Sequence, residues 1–249
     1  MANSDSRPTN PLLILLGGAL VCLLATLAGA LRFDDPLYFF SDVKNHPGTL
    51  QGLLTAVNGF LLVSAATCLL LLARQRIDLT AGVRRALLGF AGLLLFLAVD
   101  EVVMFHEWAA VVLTSLHFPA PLGIDRDVYI FAAYGLVGTA CLVPMMAGLR
   151  RHHRARQLLF WMLGLAAASQ ALDFVPWDGL TPTQQSWVGP LEESFKSLAV
   201  LSVSLSSWLL LTDEQPVEAA PSQPAAGAAD PAPVQKRRQT GAAHSKREF

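Results

Sequence analysis

Cysteine is scarce in this 249-residue chain, three in all, and charged residues make up only 15% of it. Cys22, Cys68 and Cys141 stand in three different apolar runs. No close pair offers a thiolate metal site and no pair in one connecting segment offers a disulfide, so they read as small buried apolar side chains. Histidine is nearly missing from the same runs: of six in the chain, His106 alone falls inside one. That excludes a multi-histidine zinc site within the apolar part. Low charge together with 53% hydrophobic residues also argues against a soluble domain.

What the chain has in quantity is long apolar segments. Six are visible, at about 11–31, 50–73, 86–108 with an apolar extension to Phe118, 129–149, 158–177 and 189–211. Each is about 20 residues, enough to cross a hydrocarbon core of ~30 Å at 1.5 Å per residue. The expected fold is all-α, a polytopic membrane bundle of six helices. Run 1 ends in "LAGAL", a small-x-small pattern that also ends signal peptides; its weak basic flank and its length favour a retained helix, and cleavage would leave five spans.

The net charge of −1 conceals segregation. Arg74, Arg76, Arg84 and Arg85 lie between the second and third runs, and Arg150, Arg151, Arg154 and Arg156 between the fourth and fifth. The opposite connections hold only Arg32 and Lys44, then Arg126, then no basic residue. The positive-inside rule makes the Arg-rich connections cytoplasmic, and with them both termini, residues 1–10 and 212–249. From Asp213 onward the chain is rich in Pro, Ala and charge and reads as a disordered tail that solubilises and orients the chain, with contact of its basic residues to anionic lipid as the alternative and no nucleic acid expected as a partner. Leu37, Tyr38, Phe39 and Phe40 in the first outer connection suit the headgroup region. Size and composition suggest a bacterial inner (plasma) membrane.

Against this apolar background the stretch "FLAVDEVVMFHEW" sets Asp100, Glu101, His106 and Glu107 in the third run. Counting at 1.5 Å per residue from the Arg-rich boundary puts Asp100 and Glu101 about 21–23 Å up, Asp173 about 22 Å up, and Glu192 and Glu193 about 22–24 Å up, with Lys196 one turn deeper. Three distant segments thus deliver carboxylates to one layer in the outer half of the membrane. Each such group costs about 2.5–3.5 kcal/mol near a bilayer centre, so these residues are expected to face the bundle interior and mark a site. Ionised together they would leave uncompensated negative charge, which calls for protonation or a bound cation. A divalent metal held by His106, Glu107 and Glu192 is the candidate cofactor, with His46 and His117 on the correct side to assist; oxygen donors dominate the set.

Plainer roles compete. Glu192 and Glu193 can pair with Lys196 at helical spacing, acidic residues in a first turn suit the helix dipole, and His106, Glu107 and Trp108 can cap an interface. Asn58 and Gln170 read as interhelical hydrogen-bonding groups, and Tyr129 and Tyr134 as interfacial or core packing, with a reach to the site as the lesser alternative.

The order Asp100-Glu101, His106-Glu107 and Glu192-Glu193 resembles uncharacterised bacterial and archaeal polytopic membrane proteins with the same D-E, H-E, E-E pattern. The resemblance implies a site but no reaction. Membrane proteases with E-E-x-x-x-R would need a basic residue where Ser197 stands, and ceramidase-like proteins need histidines that these spans lack. Three functions follow from the residues. One is a cation-dependent, hydrolase-like enzyme acting on a lipid or lipid-linked substrate, with Asp100, Glu101, Asp173, Glu193 and Lys196 as candidate catalytic groups: Glu101 or Asp173 as base, Lys196 or a metal stabilising negative charge. Another is a proton- or cation-coupled transporter, for which six spans are few and a homo-oligomer would be needed. The third is a non-catalytic membrane subunit.

Overall fold

A computed structural model describes residues 10–40, 52–76, 79–120, 126–175 and 179–212. The expected tail from residue 213, the first nine residues and His46 lie outside these. Among the described residues there is no strand, and seven helices follow one another: α1 (Pro11–Phe33), α2 (Leu53–Gln75), α3 (Ala81–Val103), α4 (Phe105–Ser115), α5 (Val128–Gly148), α6 (His153–Asp173) and α7 (Pro182–Thr212). Helices α1, α2, α3, α5 and α7 are long and apolar enough to cross a membrane, so the chain is a multi-pass membrane protein. Helix α6 matches them in length, 21 residues, but not in apolarity: it opens on Arg154, Arg156 and Gln157 and closes on Ser169, Gln170 and Asp173.

Three boundaries differ from those read off the apolar runs. The third run is not one helix; it breaks at Met104 into α3 and the 11-residue α4. Helix α6 begins at His153 and stops at Asp173, so Asp173 is its last residue and not a mid-span carboxylate. Helix α7 begins at Pro182, ten residues before Glu192, because Thr181 and Gln184 supply the capping bonds there: the Gln184 N–H donates to Thr181 Oγ1 and the Thr181 N–H to Gln184 Oε1. Glu192 and Glu193 therefore lie beyond the reach of the helix dipole, whose effect fades within the first turn.

Helix α7 is the hub, packed on α6, α2 and α1, while α2 packs on α3 and α3 on α5. Its buried face carries small side chains, among them Ser197, Ala199, Ser202 and Ser206, which let neighbouring backbones approach. Those serines are also satisfied. Ser206 Oγ donates to the Ala155 carbonyl at 2.9 Å, Ser204 Oγ to the Leu61 carbonyl at 3.0 Å, and Asn58 Nδ2 to Ser197 Oγ at 2.9 Å. Asn58 thus ties α2 to α7 as its residue type suggested. Helix α1 lies outermost, with Leu13, Leu16 and Leu20 exposed on its flank. It runs antiparallel to α7, with Gly18 against Leu198 and Leu201, and Leu37 beyond its end against Gly189. The aromatic connection folds inward in part: Phe40 is buried and its carbonyl accepts from Thr55 Oγ1 at 2.7 Å.

The tightest packing is at one end. Leu69, Leu87, Met145, Leu149, Leu158, Leu159 and Leu210 are all fully buried, and each belongs to the half of the bundle next to the Arg-rich turns. The other half is opened up by charge. Gly148 shows how little slack the closed half has, because a Cβ there would run into the branched side chain of Val83, whereas one at Gly17 meets nothing. Gly148→Val should therefore cost about 1–3 kcal/mol, lowering the melting temperature in detergent, while Gly17→Ala leaves it unchanged or higher.

Candidate functional site

The site is built around a backbone break. Met104 adopts the left-handed conformation, φ 56° and ψ 48°, which costs a non-glycine residue about 1–2 kcal/mol. Its N–H closes α3 on the Asp100 carbonyl at 2.7 Å, and its own carbonyl accepts from the Trp108 N–H at 3.2 Å to begin α4. A helix that starts in this way has N–H groups without intrahelical acceptors, and in lipid each needs one. Asp100 provides it from the preceding helix: Oδ1 accepts from the His106 N–H at 2.9 Å.

The second carboxylate oxygen does more. Asp100 Oδ2 lies 3.0 Å from His106 Nδ1 and accepts from the Tyr134 hydroxyl at 3.3 Å. A carboxylate only accepts, so Nδ1 carries the proton toward Asp100, which leaves Nε2 as the imidazole nitrogen available to a ligand. Ring packing fixes the pair further: His106 sits against Phe131, and Tyr134 is held edge-on by Phe96 and Phe131. Asp100 is 5% exposed yet fully engaged. Read as one continuous helix, the third run would set Asp100 and His106 some 120° apart around its axis. The turn at Met104 brings them together.

A second knot joins α3 to α7. Lys196 Nζ donates to Glu193 Oε1 at 2.9 Å and stands 3.4 Å from Glu101 Oε1. The intrahelical partner seen at this distance is thus Glu193, three residues back, and the partner across helices is Glu101. Lys196 keeps 36% of its side chain exposed.

All eight residues named from the sequence, Asp100, Glu101, His106, Glu107, Asp173, Glu192, Glu193 and Lys196, line one cavity of about 660 Å³. Its wall is divided by polarity along the helix axes. On α3, Phe90, Leu94 and Leu97 give way to Asp100 and Glu101; on α6, Met162 and Leu163 give way to Ser169, Gln170 and Asp173; on α7 the order reverses, with Glu192, Glu193 and Lys196 before Ala199, Val200 and Val203. The charged end lies away from the Arg-rich turns and the apolar end points toward them. Phe90 to Asp100 is ten residues, so the apolar arm is about 15 Å deep.

The cavity also has a side opening. Helices α5 and α6 diverge from the short turn that joins them and barely touch. Along that gap Gly135, Thr139, Leu163, Ala166 and Ala167 line the cavity and are exposed. A second hollow of about 490 Å³ beside α4 shares Glu107 and Asp127 with the main cavity.

Sequence reasoning did not find Asp127, which sits in a connection just before α5, and ranked packing ahead of a reach to the site for Tyr134. A polar hydroxyl deep in an otherwise apolar run was the available signal. Tyr129 stays at the edge, donating to the Pro119 carbonyl, and His117 is not part of the cavity wall. Among the described residues no three His, Cys, Asp or Glu side chains come together as a group able to hold a metal ion.

Asp100 therefore carries a structural duty that can be separated from any chemistry. Asp100→Ala leaves the His106 N–H and the Tyr134 hydroxyl without their acceptor and should destabilise the detergent-solubilised protein by about 1–3 kcal/mol. Asp100→Asn, which retains an acceptor oxygen, should lose clearly less in the same thermal melt.

No curated protein and no solved structure matches the chain. Residues 12–210 match the family described as Domain of unknown function (DUF8692). That span takes in every helix from α1 to α7 and the whole cavity wall, and the chain belongs to this family.

Proposed function

We propose that the cavity is the site of a membrane-embedded, hydrolase-like enzyme acting on a lipid or lipid-linked substrate, with His106 as its acid–base group. One observation carries this reading: a cavity polar at one end and apolar at the other, with an Asp-oriented imidazole at the polar end. An amphiphile fits such a wall with its head among the carboxylates and its chain in the apolar arm. The gap between α5 and α6 is a route for it from the bilayer. By the positive-inside rule the Arg-rich end is cytoplasmic, so the charged layer belongs to the outer half of the membrane.

The chemistry can be written with the chain's own groups. Water enters at the polar end, and His106 Nε2 takes its proton as the oxygen attacks an ester carbonyl of the substrate. The carbonyl-to-leaving-group bond then breaks, and the proton returns from Nε2 to the leaving oxygen. Asp100 holds the imidazole in the required tautomer and stabilises its cationic form between the two transfers. Lys196, held by Glu193 and Glu101, is the cation nearest to where the carbonyl oxygen would develop charge. In this scheme His106 replaces Glu101 and Asp173 as base, since Glu101 is engaged with Lys196.

Transport is supported less well. Among the described residues the cavity wall below the charged layer is apolar apart from Thr139, so they supply no chain of polar groups leading on toward the Arg-rich end.

The test is to reconstitute the protein with a total bacterial lipid extract, with and without added divalent ions, and compare lipid profiles by mass spectrometry before and after incubation. Wild type should generate a cleaved lipid product, and His106→Gln should slow its appearance by about 10²–10⁴-fold with little change in melting temperature. An unchanged profile with folded wild-type protein under both conditions would overturn the reading.

A further inference from the structure

We infer that the head of the amphiphile carries a positive charge, an amine or ammonium group, and is seated among the carboxylates while its chain fills the apolar arm. The inference rests on the amphiphile reading of the cavity and adds the chemistry of the head. Seven carboxylates line the cavity, against Lys196 and His106 as the only basic side chains in its wall among the described residues. Both of those are already committed, Lys196 to Glu193 and Glu101, His106 to Asp100. An anionic head would meet net negative charge in a poorly screened setting, whereas an ammonium would relieve it.

Hydrogen-bonding capacity points the same way. Gln170 Oε1 is a buried acceptor in the cavity wall with no hydrogen-bond partner. The wall is rich in acceptors and poor in donors, so the matching ligand brings N–H groups or a diffuse cation. The approach has the same character: Glu107 and Asp127 stand where the main cavity meets the hollow beside α4, so a head arriving by that side passes two carboxylates. Aromatic faces are also at hand, with Phe131 and Tyr134 in the wall beside His106, and ring faces attract cationic heads.

Chain and charge can be varied independently. The protein, exchanged into an amphipathic polymer that removes detergent, is titrated calorimetrically with dodecyltrimethylammonium, dodecyl phosphate, dodecyl maltoside and chainless tetramethylammonium. The ammonium amphiphile should bind at least about tenfold more tightly than either other dodecyl compound, and tetramethylammonium at least about 100-fold more weakly, since each buried methylene adds to affinity. Glu192→Gln should narrow the preference for ammonium over maltoside, and Ala167→Trp, which narrows the side opening, should weaken all three dodecyl ligands alike. Dodecyl phosphate or maltoside binding as tightly as the ammonium would overturn the cationic head and leave the amphiphile site standing. Tetramethylammonium binding as tightly as its dodecyl counterpart, or no dodecyl ligand binding at all, would overturn the amphiphile site itself.

Discussion

One carboxylate joins two helices and a histidine. Asp100 closes the start of α4 through the His106 N–H, orients the His106 ring through Nδ1, and receives the Tyr134 hydroxyl. Without an acceptor at that point, the left-handed turn at Met104 would leave backbone donors bare in a low-dielectric setting. With it, α4 can leave the axis of α3 and the bundle can stay open at that end. The cost of placing a charge there is offset by three donors converging on it, which is why Asp100 can be almost wholly buried.

The two halves of the bundle follow different rules. Near the Arg-rich turns, leucine and methionine side chains interlock and small residues on α7 bring α2 and α6 close. At the far end the same helices carry charged and polar side chains that cannot interlock in that way, and the space between them becomes the cavity. The polarity gradient along its wall is thus a consequence of where each helix changes from apolar to ionisable residues. Three helices make that change along the wall of one cavity, and that coincidence supports the proposal of a head-and-chain ligand.

Much of this was legible in the sequence, for a simple reason. Residues of high insertion cost stand out against a lipid-compatible background, so Asp100, Glu101, His106, Glu107, Asp173, Glu192, Glu193 and Lys196 could be picked out before any geometry was known, and all eight line one cavity. Run length also located helices, but less fully: the third run holds two, and among the described residues five helices, not six, are long and apolar enough to cross a membrane. What could not be read was the turn at Met104: methionine carries no signal for a left-handed residue, and no glycine or proline marks the spot. Because that turn was invisible, the pairing of Asp100 with His106 could not be read from helical spacing. Asp127 was missed and Tyr134 was ranked as packing because partner choice across helices depends on packing angle and not on spacing. The ends of α6 and α7 were misplaced because helices run on through polar residues that hydropathy does not count: α6 starts at His153, before its apolar run, and α7 starts at Pro182, where Thr181 and Gln184 cap it.

An amphiphile seated with its head beside His106 and its chain in the apolar arm would be seen in an electron cryo-microscopy structure of the protein in lipid nanodiscs, kept with the lipids it was purified with. Elongated density is expected to run from the Asp100–His106 layer past Leu97 toward Phe90, continuous with the gap between α5 and α6. Side chains closing over the apolar arm, or a file of ordered water leading from the charged layer to the Arg-rich end, would contradict it.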